Sequence, residues 1–237
     1  MPPVEPDPTR LVAVIGGTRG LGRAIAGELT APGFDVVVTH RTDEPADMAS
    51  VHCDVTDEES VDAAFTAIES RGRSPEIVVV NAGIAHRDLT MRMPTSTFTE
   101  VVDTNLRGAF FVARRALPAM VRARRGSIVF ISSVSALTGT PGVAAYAASK
   151  AGLIGLARTM ATEVGSRGVR VNVVAPGLLD NAAGIAPGTD EWIAATPARR
   201  VGTVAECAAV VRFIAVEASG ITGAVIPVDG GYAMGIT

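Results

Sequence analysis

The stretch "RLVAVIGGTRGLGRAIAGEL", residues 10–29, combines three patterns that together indicate the fold. It opens with a continuous apolar run rich in β-branched residues, which is typical of a strand covered on both faces. Glycines follow at Gly16, Gly20 and Gly22, where an amphipathic helix is predicted to begin. A strand, a glycine turn and a helix in this order predict one unit of a parallel sheet with helical crossovers.

Similar runs recur between helical patterns along the rest of the chain. The predicted strands are 10–16, 34–40, 50–55, 76–83, 126–133, 169–177 and 223–231, and the predicted helices lie near 21–31, 59–70, 97–124, 145–164 and 204–216. No linker, repeat or low-complexity tract separates these elements. We therefore expect a single doubly wound α/β domain over residues 10–237, with a seven-stranded, mainly parallel sheet and helices on both faces, after a disordered lead at 1–9.

Composition argues against several classes of protein. The formal net charge of −3 contrasts with the basic excess of most nucleic-acid and membrane-surface binders. No apolar run approaches the roughly 18 residues that a membrane-spanning helix needs. The two cysteines, Cys53 and Cys207, and the three histidines lack the spacing of a metal site. We expect buried, unpaired cysteines, no metal and a reducing, cytoplasmic location.

The glycine motif "GGTRGLG", residues 16–22, is typical of a loop that holds a pyrophosphate. Glycines let the backbone approach the phosphates, whose charge then meets the free N–H groups of the helix N-terminus. A tight turn without a ligand is the alternative in a chain with 25 glycines, but the position between strand and helix favours a dinucleotide. The predicted contacts in this loop are Gly16, Thr18, Arg19, Gly20, Leu21 and Gly22.

The residues after the second strand indicate which nicotinamide cofactor is bound. An acid there binds the ribose 2′-hydroxyl of NAD, whereas an arginine accommodates the 2′-phosphate of NADP. The strand ends in His40 and Arg41, no acid occurs before Asp43, and Arg19 supplies a second guanidinium. Either arginine alone could be an ordinary surface charge, but together they favour NADP (NADPH).

Two further strand ends are expected at the same site, because ligands collect at the carboxyl edge of an open parallel sheet. The segments "CDV" and "NAG" end the third and fourth predicted strands. The predicted contacts are Asp54 and Val55 near the adenine, and Asn81, Ala82 and Gly83 toward the ribose.

The segment "YAASK", residues 146–150, contains the only lysine of the chain. Residues four apart share a helix face, so the Lys150 ammonium is predicted to lower the pKa of the Tyr146 phenol from about 10 toward neutrality. Tyr146 would then serve as a general acid for a carbonyl oxygen. The alternative is a chance pair on a helix surface, in a genome that depletes lysine elsewhere.

Taken together, "GGTRGLG", "NAG", "DTNLRGAF", "ISSVS", "YAASK" and "VAPG" occur in an order and spacing that resemble the short-chain dehydrogenase/reductase family over about residues 10–234. The resemblance implies a Rossmann-like oxidoreductase. It also implies that Ser133 orients the substrate carbonyl. Asn105 would kink its helix and hold a water that links the lysine to solvent, and Lys150 would bind the nicotinamide ribose as well as acidify Tyr146.

The resemblance further implies a contact with the nicotinamide carboxamide by the loop "APGLL". The residues concerned are Pro176, Gly177 and Leu179. The following segment, 178–197, corresponds to a substrate flap in the family, and Asn181 stands in it where relatives often have a threonine that touches the cofactor. Trp192 lies in the same segment, either lining the acyl pocket or packing beneath the flap.

Within the family, the segments "VVVTHR", "VNVVAPG", "RRVGT" and "TGAVIPVDGG" resemble 3-oxoacyl-[acyl-carrier-protein] reductases. This implies NADPH-dependent reduction of a 3-oxoacyl thioester in fatty-acid or polyketide synthesis, by a homotetramer. Arg124 and Arg167 match positions that contact the acidic carrier protein, or simply complement helix dipoles. The alternatives are an NAD(P)-dependent dehydrogenase of a small secondary alcohol, sugar or steroid, and a non-catalytic nucleotide sensor.

Overall fold

A parallel sheet forms the centre of the fold. The structure is a computed structural model, and it describes residues 9–42, 44–180 and 189–235. The strands are β1 (Arg10–Ile15), β2 (Phe34–His40), β3 (Ser50–His52), β4 (Ile77–Val80), β5 (Gly126–Ile131), β6 (Val169–Pro176), β7 (Leu179–Asp180), β8 (Gly202–Thr203) and β9 (Val225–Val228). Seven of them form one sheet in the order β3-β2-β1-β4-β5-β6-β9, and every neighbouring pair is parallel. The predicted doubly wound α/β fold is confirmed.

The helices follow the strands as crossover connections. They are α1 (Gly20–Leu29), α2 (Glu58–Glu69), α3 (Thr95–Val102), α4 (Gly108–Ala123), α5 (Ser135–Thr138), α6 (Ala144–Val164), α7 (Thr189–Ala195) and α8 (Val204–Arg212). A π-helical turn at Asp103–Arg107 separates α3 from α4, and a second one at Phe213–Glu217 follows α8. The helix predicted over 97–124 is therefore interrupted, and the interruption lies at the predicted site.

The strands end sooner than predicted on the side where the cavities lie. The third strand ends at His52 instead of residue 55, and the fourth at Val80 instead of residue 83. The residues beyond these ends leave the sheet and form loops. The motifs "CDV" and "NAG" thus lie mainly in loops at the carboxyl edge, where an open sheet binds ligands.

Both faces of the sheet are covered, which explains the continuous apolar runs. Leu11, Ala13 and Ile15 of β1 pack into the core shared with α2, α4 and α6, whereas Val12 and Val14 pack into the core shared with α1 and α8. Because successive side chains of a strand point to opposite faces, a strand buried on both sides must be apolar at every position. The sheet is thereby a rigid support for the loops at its edge.

The cysteines are free and buried in these cores, as predicted. Burial raises the pKa of Cys53 and of Cys207 to about 12. Within the described ranges no group of His, Cys, Asp or Glu side chains could hold a metal ion. None of the helices described there has the length and apolar character that crossing a membrane requires.

The predicted lead and flap are described only in part. Residues 1–8 and 181–188, including Asn181, lie outside the described residues. On either side of that gap, β7 pairs in parallel with β8, through Leu179 with Gly202 and Asp180 with Thr203. The start of the flap is therefore tied to the beginning of α8. The division of the chain into a lead and a single domain stays a prediction.

Candidate active site

The glycine loop between β1 and α1 packs too closely for larger side chains. Gly16 has a φ of +75°, a region that favours glycine. A Cβ on Gly22 would clash with the Gly16 carbonyl oxygen and lie 2.5 Å from Asn81 Nδ2. Asn81 Nδ2 donates to that carbonyl at 2.8 Å, and Gly16 N donates to Thr39 Oγ1 at 3.0 Å. The ends of β2 and β4 therefore hold the loop in place.

The N-terminus of α1 has the features of an anion site. Its N-cap residue, Arg19, makes no side-chain capping hydrogen bond, and the first turn contains no acidic residue. The free N–H groups and the positive end of the helix dipole therefore remain available to a phosphate.

A cavity of about 470 Å³ opens beside this loop and is called here the nucleotide cavity. The predicted contacts that line it are Gly16, Thr18, Arg19, Leu21, His40, Arg41, Asp54, Val55, Asn81, Ala82, Gly83 and Tyr146. Gly20 and Gly22 are not in its wall, since Gly22 is buried behind Gly16 and Gly20 is exposed at the start of α1. The sheet order reverses between β1 and β4, so this cavity occupies the switch point of the fold.

The nucleotide cavity contains polar groups that could bind a nicotinamide dinucleotide. His40 Nδ1 is buried and has no hydrogen-bond partner among the described residues. Arg19 and Arg41 are exposed there, and neither forms a salt bridge with a described carboxylate. Burial acts to raise the pKa of Asp54, but hydrogen bonds from Thr56 and the charge of Arg41 hold it below its ordinary value. Asp54 is therefore an ionised acceptor.

A second cavity, of about 330 Å³, adjoins the first and is called here the chemical cavity. The two share Leu21, Asn81, Gly83, Ile84 and Tyr146 in their walls. The other predicted site residues that line the chemical cavity are Ser133, Lys150, Pro176, Gly177 and Leu179. The two cavities together form one groove with a nucleotide end and a reactive end. Tyr146 lies where the two ends meet.

Tyr146 lies in the first turn of α6 and lines the chemical cavity together with Ser133. Burial raises the pKa of Tyr146, and the neighbouring Ser133 hydroxyl offsets only part of that rise. The expectation that Lys150 lowers this pKa is wrong for the described structure, because burial dominates and Lys150 Nζ is 5.7 Å from the ring centroid. The phenol is protonated at neutral pH and can donate a proton.

Lys150 is 4% exposed and points its ammonium at the end of β5. Its Nζ donates to the Ile131 carbonyl oxygen at 2.7 Å, and burial lowers the pKa of Lys150 to about 8. Ser132 Oγ donates to the backbone carbonyl of Lys150 at 2.8 Å. Ser132 thereby fastens α6 to the end of β5. Both bonds place Lys150 against β5.

Asn105 lies in the π-helical turn between α3 and α4 and is 1% exposed. Its Nδ2 donates to the Ile84 carbonyl at 2.9 Å and to Ser149 Oγ at 3.0 Å, while its Oδ1 accepts from Ile84 N at 2.8 Å. The widened turn carries this amide to the loop after β4 and to α6. A π-helical turn lies at this residue, where the helix is predicted to kink. The predicted kink and the predicted water link to the lysine stay predictions.

Gly83, the last residue of "NAG", lies close to the side chains of Asn105 and Lys150. A Cβ on Gly83 would lie 3.1 Å from Asn105 Oδ1 and 3.3 Å from Lys150 Nζ. The sequence reasoning missed Ser149 and Ile84, which complete this network. Ile84 acts through its backbone, so its side-chain type carries no signal, whereas Ser149 stands next to Lys150 and could have been suspected.

The described part of the flap settles where Trp192 lies. Trp192 is absent from the walls of both cavities and stacks on Tyr232 instead, with ring centroids 5.2 Å apart. Of the two alternatives in the sequence, packing beneath the flap is therefore the one that the described residues support.

Arg124 and Arg167 lie on one exposed surface. Arg124 ends α4 with a φ of +54°, and its Nη2 donates to the Ser166 carbonyl at 3.1 Å. Arg167 follows Ser166 directly in a short 3-10 turn, and it is exposed as well. The fold thus brings together two arginines that are far apart in the sequence.

Comparisons with known proteins agree with this geometry. Residues 15–233 match a family described as enoyl-(acyl carrier protein) reductase. The 3-oxoacyl-[acyl-carrier-protein] reductase MabA of Mycobacterium tuberculosis is 48% identical, over 97% of this chain and 95% of its own. The reductase of the same name, FabG, from Escherichia coli is 37% identical over 95% of this chain and 98% of its own. The aldohexose dehydrogenase of Thermoplasma acidophilum is 33% identical, with a TM-score of 0.88 over 96% of this chain and 95% of that chain.

Proposed function

Because the chain belongs to the short-chain dehydrogenase/reductase family, we propose that it is an oxidoreductase that reduces the 3-carbonyl of an acyl thioester bound to acyl carrier protein. The product is the 3-hydroxyacyl thioester. One observation carries the proposal: Ser133, Tyr146 and Lys150 line one cavity, in a chain 48% identical to a 3-oxoacyl reductase over nearly its whole length.

The side chains divide the reaction between them. The Ser133 hydroxyl binds and orients the carbonyl oxygen, and the Tyr146 hydroxyl donates its proton to that oxygen. The nicotinamide cofactor would supply the hydride that forms the new C–H bond at the carbonyl carbon. Burial keeps the phenol protonated until the transfer. Lys150, whose Nζ lies 5.7 Å from the ring centroid, would bind the ribose hydroxyls at the nicotinamide end of the cofactor.

The proposed cofactor is NADP, used as NADPH. Arg19, Arg41 and His40, whose Nδ1 has no hydrogen-bond partner among the described residues, line the nucleotide cavity and suit a 2′-phosphate. Asp54, which is ionised, can accept a hydrogen bond from the adenine amine. The glycine loop and the N-terminus of α1 suit the pyrophosphate. Gly177 and its neighbours would contact the nicotinamide carboxamide.

The names of the relatives point to two different reductions. The family description refers to an enoyl double bond, whereas MabA and FabG are named for a 3-oxo group. We favour the carbonyl, because identity over a full-length relative is more specific than a family description. A hydroxyl pair that can bind a carbonyl oxygen supports the same choice.

A sugar or small secondary alcohol is the second candidate substrate. The structural likeness to aldohexose dehydrogenase favours it, since the TM-score is 0.88. The same residues would then work in reverse, with Tyr146 accepting the proton of the alcohol. The higher identity to the 3-oxoacyl reductases places this candidate second.

The proposed partners follow from the surface. Arg124 and Arg167 present two guanidinium groups that suit the acidic face of a carrier protein.

The homotetramer and the cytoplasmic location also stay proposals. Sedimentation at micromolar concentration tests the assembly, and a species of 24.3 kDa would contradict it.

The central experiment measures NADPH consumption with a panel of substrates. We expect oxidation of NADPH with carrier-bound and free 3-oxoacyl thioesters, faster than any turnover of secondary alcohols or aldoses with NADP or NAD. A panel in which no 3-oxoacyl thioester is reduced would overturn the proposal. Comparing both cofactors in the same panel also tests the preference for NADP.

A further inference from the structure

The aromatic stack between Trp192 and Tyr232 joins two distant parts of the chain. Trp192 is the only tryptophan and lies in α7, while Tyr232 begins the 3-10 turn Tyr232–Gly235 that follows β9. Their rings are 5.2 Å apart between centroids and inclined by 18°. This is an offset-stacked distance for an aromatic pair.

The stack lies directly behind the loop that would contact the nicotinamide. A Cβ on Gly177 would lie 2.9 Å from Trp192 Cζ2 and 2.8 Å from Asp229 Cα. Gly177 itself lines the chemical cavity together with Tyr146 and Lys150. The indole therefore supports the cavity wall from the far side, without entering the cavity.

Tyr232 is held in position by a buried acid. Asp229 is 8% exposed, and its two carboxylate oxygens accept from Gly231 N at 2.9 Å and from Ala233 N at 2.8 Å. These bonds fix the turn on both sides of Tyr232. The residue before Asp229, Val228, accepts from Gly177 N at 2.9 Å. One short segment thus holds both the Gly177 loop and the tyrosine of the stack.

The tryptophan side of the stack is fastened in the same way. Thr196 is buried, and its Oγ1 donates to the Trp192 carbonyl at 2.8 Å. Ala198 N donates to the Gly230 carbonyl at 3.0 Å. The end of α7 is therefore bound to the turn that carries Tyr232. Stack, turn and Gly177 loop form one connected unit.

We propose that the Trp192–Tyr232 stack is a positioning element for the nicotinamide end of the cofactor site. It holds the Gly177 loop at the distance at which the loop's backbone can contact the nicotinamide carboxamide. This inference rests on the proposed function, in which a nicotinamide dinucleotide occupies the two cavities. The stack acts on the nicotinamide end, because Gly177, which Trp192 backs, lines the chemical cavity and not the nucleotide cavity.

The test compares two ligands that differ only at the nicotinamide end. NADP carries the nicotinamide, and 2′-phospho-ADP-ribose lacks it but keeps the adenosine and the phosphates. Because Trp192 is the only tryptophan, the intrinsic tryptophan fluorescence of the full chain reports on the stack alone. We expect NADP to change this fluorescence and 2′-phospho-ADP-ribose to leave it nearly unchanged.

Calorimetry with variants measures the same effect as affinity. Trp192→Ala and Tyr232→Ala should each weaken NADP binding roughly tenfold and leave 2′-phospho-ADP-ribose binding unchanged. Trp192→Phe keeps an aromatic ring in the stack and should restore most of the affinity. Phe213→Ala is the matched control, since Phe213 is an exposed aromatic that lines neither cavity.

The outcomes separate this inference from the proposed function. If the two alanine variants bind both ligands equally more weakly, or bind both with unchanged affinity, the positioning role is overturned. It is also overturned if Trp192→Phe does not restore the affinity for NADP. If the chain prefers NAD, the same comparison is made with NAD and ADP-ribose, and only the cofactor preference fails. A nicotinamide-dependent response without thioester turnover would support the stack and overturn the proposed substrate.

Discussion

The nucleotide cavity and the chemical cavity are built in opposite ways. The first is formed by glycines, backbone N–H groups and exposed arginines, with few side-chain hydrogen bonds between its elements. The second is formed by buried polar side chains that bind one another and the backbone across β5, α6 and the π-helical turn. Ligand recognition in the nucleotide cavity depends on the space that glycines leave and on exposed charge. The reaction in the chemical cavity depends on the burial and the pKa values of its side chains.

Removing the proposed acid should have the largest effect. Tyr146→Phe keeps the ring and its burial but removes the proton, so turnover should fall roughly a thousandfold. Calorimetry should show NADPH binding close to that of the unchanged chain, because the nucleotide cavity keeps its arginines and glycines. Substantial remaining turnover would remove Tyr146 from the proposed mechanism.

Replacing the only lysine by arginine tests whether a compact ammonium is needed. Lys150→Arg keeps the charge, but the larger guanidinium must fit beside Gly83, whose Cβ position is 3.3 Å from Nζ. We expect steady-state turnover to fall about a hundredfold. A rate near that of the unchanged chain would mean that the lone lysine has no special role.

The low pKa of Lys150 predicts that this residue destabilises the fold at neutral pH. A pKa of about 8, against the ordinary 10.5, corresponds to a cost of about 3 kcal/mol. Lys150→Met would leave the Ile131 carbonyl unpaired, which costs about 1–3 kcal/mol. The variant should therefore be up to about 2 kcal/mol more stable at neutral pH.

The sign of this effect fixes its pH dependence. The folded pKa is depressed, so the unfolded chain binds more protons between pH 8 and pH 10.5, and the lysine's cost fades as pH rises through that window. Urea unfolding of both proteins at matched concentration checks this. An advantage of the variant that is independent of pH would contradict the burial of a charged lysine.

Two glycines of α1 provide a matched pair for the nucleotide cavity. Gly22→Ala would force a Cβ against the Gly16 carbonyl and Asn81, and should cost about 1–3 kcal/mol of stability and weaken cofactor binding. Gly27→Ala meets nothing within 4 Å and should stabilise the helix by about 0.5–1 kcal/mol. Thermal unfolding with calorimetry compares them, and equal effects would contradict the packing.

The smallest expected effect on cofactor binding concerns an exposed charge. Arg41→Ala should weaken NADPH binding roughly tenfold and leave NADH binding unchanged, because only NADPH carries the 2′-phosphate. Arg158→Ala is the control, since Arg158 is exposed and lines neither cavity. Equal affinities of Arg41→Ala and the unchanged chain for NADPH would remove Arg41 from the cofactor preference.

The two cavities also differ in how far the sequence predicts them. The glycine loop was predictable because its signal is local: a strand, three glycines and a helix stand next to one another. The likeness in motif order located Asn105, Ser133, Tyr146 and Lys150, and all but Asn105 line the described cavities. Asn105 acts from behind the wall, through Ile84 and Ser149.

By itself, the sequence determined the alternation of strands and helices, the strand end at which the phosphates would bind, and the side chains available for chemistry. These depend on periodicity and on neighbouring residues. Only the tertiary structure decided that burial raises the pKa of Tyr146, that Ser132 holds α6 to the sheet, and that Trp192 stacks on Tyr232 behind Gly177. The physical reason is that desolvation and packing arise from residues far apart in the chain, which no local pattern records.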